Sequence, residues 1–242
     1  MKTIGIIPAR GGSKGIPKKN IRNFCGKPLI AWSILSALES DLDRVIVCTD
    51  GPEIAKVAKK YGAEVIQEPD ELAVGTMGVE PAMIHVYKQL EKEGYKADAI
   101  VTLMATNPIR QSFHINESLK IFKNTKTDSV VSVNETPANH TPYWTLIQSP
   151  AGKVSLWGGI PLKDIHTRRQ DFPQKCYARN DLIYVLKPEV LIKGRQKDGR
   201  IDRYGKKTEL YITDPSYEID INTLEEWGDA EIRFKRMMKA KK

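Results

Sequence analysis

Thr3-Ile4-Gly5-Ile6-Ile7-Pro8-Ala9-Arg10-Gly11-Gly12-Ser13-Lys14-Gly15-Ile16-Pro17-Lys18-Lys19-Asn20 begins apolar and turns abruptly glycine-rich and basic. Residues 3–7 form a short apolar run closed by a proline, the pattern of a buried strand. Glycines after such a strand allow backbone N–H groups to turn inward as a concave anion nest. Arg10, Lys14 and Lys19 add formal charge for phosphate oxygens. The spacing matches neither G-x-x-x-x-G-K-[ST] nor G-x-G-x-x-G. A tight solvated loop whose charges aid solubility is the plainer reading. The absence of any acid in the loop favours phosphate binding.

Outward from this stretch the chain alternates strands with amphipathic segments. Strands are expected at 45–49, 64–66, 99–104, 129–133, 177–186 and 209–213. Helices are expected at 28–40, 53–61, 79–92, 114–123 and 224–237. This alternation predicts an α/β, Rossmann-like, mainly parallel sheet with helices on both faces. Ligands in such sheets sit beyond the C-terminal strand ends. The loops after Ile7, Thr49, Met104 and Val133 are therefore expected to converge. Residues 134–175 break the rhythm with Pro137, Pro142, Pro150, Pro161 and Pro173, and carry Trp144 and Trp157. They read as an insertion within one domain spanning 1–242, either a dimerisation surface or a segment packed on the parent domain.

The net charge of +8 raises the question of nucleic acid, and its distribution answers it. Residues 8–27 carry +6 and residues 231–242 carry +5, which leaves the other 210 residues at −3. A broad basic face is thus absent, and the basic tail reads as a solvated helix end. No apolar run approaches the ~18 residues that span a bilayer. The apolar start is too short for an export signal. Cys25, Cys48 and Cys176 lack metal-type spacing and read as free thiols. Cytoplasmic residence is expected, with neither nucleic acid nor membrane as partner. His85 reads as a surface or interhelical hydrogen-bonding group. His114, His140 and His166 read as surface histidines, with His140 a weak pocket candidate.

Near the end, Asp220 and Asn222 alternate with Ile219 and Ile221, so the polar pair is expected to share one face of a late strand. Two readings stay open: Mg²⁺ ligation through hard oxygens, or capping of the final helix by Asp220, Asn222 or Thr223.

The opening run and Gly26-Lys27-Pro28-Leu29-Ile30 closely resemble the start of CMP-sialic acid synthetases (acylneuraminate cytidylyltransferases). Further matches follow in order: Val45-Ile46-Val47-Cys48-Thr49-Asp50, Glu71-Leu72-Ala73, Thr106-Asn107-Pro108-Ile109-Arg110, Ser129-Val130-Val131-Ser132-Val133 and Ile219-Asp220-Ile221-Asn222-Thr223. The resemblance implies transfer of CMP from CTP to the anomeric hydroxyl of a sialic-acid-like nonulosonic acid, with release of pyrophosphate. It implies Arg10, Lys19 and Asp220 as catalytic, and Ala9, Arg10, Gly11, Ser13, Lys14, Lys19, Asn20 and Thr76 as nucleotide-binding. Thr106, Asn107, Arg110 and Asn180 become sugar-contacting candidates, Asp220 and Asn222 metal ligands for Mg²⁺, and a homodimer the expected assembly.

Departures from the family pattern are specific. Asn222 stands where the family carries a second Asp, Glu68 where it carries Arg, Met104 where it carries Gln, and Gly75 where it carries Asp. Met104 cannot make the two-sided hydrogen bonds of a Gln amide. These changes gather away from the first loop. They leave as alternatives another acidic acceptor, such as a shorter keto-sugar acid or a phosphonate, or a non-catalytic nucleotide-binding relative.

Overall fold

Strand β1 (Thr3–Pro8) runs through the middle of a seven-stranded sheet, paired in parallel on both sides. The structure is a computed structural model that describes residues 1–13, 15–73, 78–194 and 201–240. A two-residue hairpin of β2 (Asn23–Phe24) and β3 (Lys27–Pro28) follows, turned by Cys25 and Gly26, both at positive φ. Next come α1 (Leu29–Leu38), β4 (Arg44–Thr49), α2 (Pro52–Lys60), β5 (Glu64–Gln67), α3 (Glu80–Lys92) and β6 (Ala99–Thr102). Helix α4 (Ser112–Thr125) leads to β7 (Ser129–Glu135). Then follow β8 (Leu146–Gln148), β9 (Val154–Leu156), β10 (Tyr177–Leu186), α5 (Pro188–Lys193), β11 (Thr208–Ile212) and α6 (Leu224–Ala240).

The sheet order is β11-β7-β10-β6-β1-β4-β5. Strands β6, β1, β4 and β5 are mutually parallel, and β10 lies antiparallel against β6. Period-2 alternation divides the two faces. Ile7, Val45, Val47, Ala99 and Val101 share one core with Ile30 and Ile34 of α1, Ile54 and Ala58 of α2, and Ile115 and Phe122 of α4. On the other face α3 covers β4 and β6, where Cys48 Sγ meets Ala82 O and Thr102 Oγ1 meets Met83 Sδ. Burial, together with Glu68 and Asp50, pushes the Cys48 thiol up to about 12, so this cysteine is a core residue, as its alternation implied.

A separate core binds the site together. Ile16 of the first loop, Phe24, Leu29, Ile109, Ile219 and Ile221 pack with Trp227, Ala230 and Phe234 of α6. The glycine-rich loop and the Asp220 segment are thereby fixed by apolar neighbours on the same helix.

The chain divides into two compact units, Met1–Ser132 with Asn180–Lys242, and Val133–Arg179. In the second, β8 and β9 form an antiparallel hairpin. Trp144 is internal to this unit, donating from Nε1 to His166 O at 2.5 Å and packing edge-on against Phe172. Trp157 is 58% exposed. The insertion's basic residues are partly paired, Arg168 with Asp171 and Lys175 with Glu135.

His114 overturns its surface reading. It is buried at the start of α4, where its Nδ1 accepts from Gln111 N at 3.0 Å and its ring packs against Tyr217. His85, by contrast, hydrogen-bonds Gln67 O at the surface.

Candidate active site

The parallel strands β1, β6 and β5 end on the same side, and the segments leaving them line a cleft of about 450 Å³. The first loop supplies Pro8, Ala9, Arg10, Ser13, Gly15, Lys19 and Asn20. The loop after β6 supplies Met104, Ala105 and Thr106, and the segment after β5 gives Glu68, Leu72 and Ala73. Gly78, Val79 and Ala82 come from the start of α3, and Asp220 and Asn222 from the segment before α6. A smaller adjoining pocket of about 270 Å³ lies among Arg10, Gly11, Ser13, Lys18, Asn20, Gly51 and Glu53. The loop after β4 lines this second pocket. Residue 134 onward belongs to the Val133–Arg179 unit.

Backbone bonds give the first loop its shape. Ala9 N–H donates to Cys48 O at 2.9 Å, Gly11 N–H to Asp50 Oδ1 at 2.6 Å and Ser13 N–H to Gly11 O at 3.1 Å. The Gly11 and Ser13 N–H groups are therefore spent on partners within the protein, Asp50 and Gly11. The cleft receives side-chain charge from Arg10 and Lys19. Asn20 is buried and donates from Nδ2 to Arg10 O at 3.1 Å, which fixes the Arg10 backbone. Lys18 adopts a left-handed conformation (φ 52), and after it the two lysines part. Lys18 pairs with Glu53 at 2.9 Å, while Lys19 Nζ donates to Ile221 O at 2.6 Å and to Asn222 Oδ1 at 3.4 Å. Burial lowers the Lys19 pKa, opposed by Asp220 and Glu226 and assisted by Arg10. Gly15 meets the same segment: a Cβ there would collide with Asn222 O, so only glycine allows the approach.

Residues 219–222 form no strand, contrary to expectation. Their alternation nevertheless holds, with Ile219 and Ile221 in the core and Asp220 and Asn222 on the cleft. Capping falls to Thr223. Its Oγ1 accepts from Glu226 N at 3.2 Å, and Glu226 Oε2 accepts from Thr223 N at 2.8 Å and Asn222 N at 2.7 Å. This is a capping box, and it leaves Asp220 free for other work.

Asn222 Nδ2 donates to Asp220 Oδ2 at 2.8 Å while its Oδ1 faces Lys19. The charges on either side fix the amide orientation: cation against oxygen, carboxylate against NH₂. Asn222 thus turns its amide oxygen toward Lys19 and its NH₂ toward Asp220. Among the described residues no group of three or more His, Cys, Asp or Glu gathers to hold an ion. Mg²⁺ commonly binds through one or two carboxylates with substrate phosphates and waters. The Asp220 carboxylate fits that arrangement, and a cage of protein ligands does not.

The loop after β6 behaves differently. Thr106 lines the cleft, but Asn107 and Arg110 are each 1% exposed and point into the protein. Arg110 donates to Leu182 O at 2.9 Å and to Met104 O at 3.2 Å, so it sets the Met104 backbone. Burial lowers its pKa. Asn107 Nδ2 donates to Asp181 O at 3.3 Å. Asn180 is buried too, accepting from Ser132 Oγ at 2.6 Å and donating to Thr213 Oγ1 at 2.6 Å. Of the four expected sugar contacts, the structure brings only Thr106 to the cleft. Lys14 and Thr76 lie outside the described residues. The walls formed by Leu72, Val79 and Ala82 escaped the sequence reading, since apolar residues on a loop and a helix start carry no chemical signal. Asp50, which anchors Gly11, escaped it for want of any local partner.

Residues 4–222 match the family described as cytidylyltransferase. The chain is 36% identical over 235 residues to post-translational flagellin modification protein B of Campylobacter coli, covering 95% of this chain and 90% of that one. It is 32% identical to the CMP-N,N'-diacetyllegionaminic acid synthase of Legionella pneumophila, covering 96% and 95%. It is also 32% identical to N-acylneuraminate cytidylyltransferase B of Danio rerio, of which it spans about half, 51%, while 96% of this chain is covered. Among solved structures, a CMP:2-keto-3-deoxy-manno-octonic acid synthetase complexed with CTP has the same fold. Its TM-score is 0.69 at 16% identity, with 98% of this chain and 100% of that one covered. A first loop that carries its cations to a cleft shared with Asp220, on a sheet of this order, accords with these likenesses: the chain belongs to the cytidylyltransferase family.

Proposed function

We propose that this protein transfers CMP from CTP to the anomeric hydroxyl of a nonulosonic acid of the sialic or legionaminic type, releasing pyrophosphate. The observation that carries the reading is the meeting of Arg10, Lys19 and Asp220 on one cleft. The names of the relatives support the acceptor class. In the reaction the sugar oxygen bonds to the α-phosphorus, the bond to the pyrophosphate oxygen breaks, and the hydroxyl proton is lost. Such a step depends on placement and charge neutralisation more than on a covalent enzyme intermediate.

Arg10 and Lys19 would hold phosphate oxygens; Lys19 has three N–H donors and uses its link to Ile221 O to keep its position. Ser13 and Asn20 shape the nucleotide loop, and Thr106 meets the sugar. Asp220 would hold Mg²⁺, which supplies Lewis-acid neutralisation of the phosphate charge. A second reading keeps the donor and changes the acceptor to a shorter keto-sugar acid. The face of Met104, Ala105 and Thr106 favours it, since Met104 offers a thioether where the family pattern places a Gln amide.

We further propose a homodimer through the Val133–Arg179 unit, which exposes Leu146, Ile147, Trp157 and Ile160 at 39–58%. Cytoplasmic residence is supported by three free cysteines. Among the described residues, no helix is long and apolar enough to cross a membrane. Pyrophosphate release from four nucleoside triphosphates against a panel of acidic sugars tests the reading. Turnover should be largest with CTP and a nine-carbon keto acid. Release with an eight-carbon acid instead selects the second reading, and no release with any pair rejects both.

A further inference from the structure

Glu68 lines the cleft as a carboxylate to which no described residue gives a side-chain partner. It follows β5, tied by its N–H to Thr49 O at 2.9 Å, and it is only 6% exposed. Its side chain lines the cleft, yet no described residue gives its carboxylate a hydrogen bond or an ion pair. Arg10 favours its charge at longer range, while burial and Asp50 oppose it, so its pKa is raised. A carboxylate in so enclosed a cleft is poorly solvated, and a ligand donor relieves that cost.

The surroundings narrow the donor. Leu72, Ala73 and Ala82 line the same cleft and give it apolar walls suited to a planar ring. The cations Arg10 and Lys19 serve the polyanionic end of a nucleotide, from which a carboxylate would be repelled. The matching part of a nucleoside triphosphate is therefore a neutral hydrogen-bond donor on its base. Cytosine carries such a donor, the exocyclic 4-amino group; uracil carries a carbonyl oxygen at that position.

We propose that the Glu68 carboxyl group accepts a hydrogen bond from the 4-amino group of cytosine and thereby selects CTP over UTP. The inference rests on the reading of the cleft as a nucleotide site. With uracil, O4 would face a carboxylate across a desolvated gap, leaving two acceptors opposed. A glutamine at this position would present a donor as well as an acceptor and so admit either base.

The test measures dissociation constants for CTP, UTP and dCTP by calorimetry on the intact protein and on Glu68→Gln and Glu68→Ala. The unmodified protein should prefer CTP over UTP by about tenfold or more, the scale of one charged hydrogen bond. In Glu68→Gln that preference should shrink by about tenfold while CTP still binds. In Glu68→Ala, CTP should weaken more than UTP. The isosteric Gln variant carries the test if the Ala variant fails to fold. An unchanged CTP-to-UTP ratio in Glu68→Gln overturns the proposal. So does a change confined to the CTP-to-dCTP ratio, which would assign Glu68 to the ribose. Equal binding of CTP and UTP by the unmodified protein overturns it while sparing the nucleotide site. Failure to bind any of the three removes the nucleotide reading itself.

Discussion

The loops after β1 and β6 leave neighbouring parallel strands and face the same cleft, yet they use their polar groups in opposite ways. In the loop at 8–20, backbone groups of Ala9, Gly11 and Arg10 bond to Cys48, Asp50 and Asn20, while the Arg10 and Lys19 side chains go to the cleft. The loop at 103–110 turns its cation inward, where Arg110 holds the carbonyls of Met104 and Leu182, and shows the cleft Met104, Ala105 and Thr106. One side therefore recognises charge and the other recognises shape. A triphosphate demands the first, and a sugar that must be told from its close analogues is better served by the second.

The most forceful way to break this comparison is at Asp220, the carboxylate facing the cationic loop. Asp220→Asn should lower turnover and its Mg²⁺ stimulation together by about a thousandfold, the scale of several kcal/mol of charge stabilisation. Steady-state rates across a Mg²⁺ titration check this, and retained stimulation would remove the metal assignment. Arg10→Ala comes next: kcat/KM for CTP should fall by about a hundredfold with thermal stability unchanged. Loss of folding instead would make Arg10 a structural residue.

Lys19 sharpens the comparison through pH. Its pKa is lowered, so its charge is lost as pH rises through a range below that of an ordinary lysine. CTP affinity should decline by about tenfold over that alkaline interval. In Lys19→Arg, which stays charged, the decline should vanish. On the other loop, Met104→Gln should alter the KM for a nonulosonic acid by about three- to tenfold, the worth of one added hydrogen bond, and leave the KM for CTP in place. A change in the CTP term would mean that the two loops are not separate in function. The smallest effect is expected at Thr223→Ala, which loses a cap and about 1 kcal/mol in urea unfolding. Turnover should stay near its original value, because Thr223 faces the helix and not the cleft.

Much of the fold is legible in the sequence because burial imposes a period of two on strands and 3.6 on helices. The 177–186 strand is read with the right ends. Its antiparallel course beside β6 is not, since alternation is the same in either direction. The donor side of the site is also legible, because glycine and unpaired charge announce themselves. The inward turn of Asn107, Arg110 and Asn180 is not legible, for the converse reason. A polar residue in a motif looks the same whether it faces a ligand or a buried carbonyl, and only the backbone path tells which. His114 misleads in the same way, spent on a helix cap. Which residue caps the last helix is decided by Thr223 and Glu226, which take the capping for themselves.

The bond from Lys19 to Ile221 O joins residues 202 positions apart. A ribosome adds ~5–20 residues per second, so the first loop waits roughly ten to forty seconds for the segment that completes it. Through that interval the sheet can assemble around β1, but the cationic loop has neither the carbonyl that orients Lys19 nor the carboxylate opposite. Nascent and prematurely terminated chains thus carry half a site.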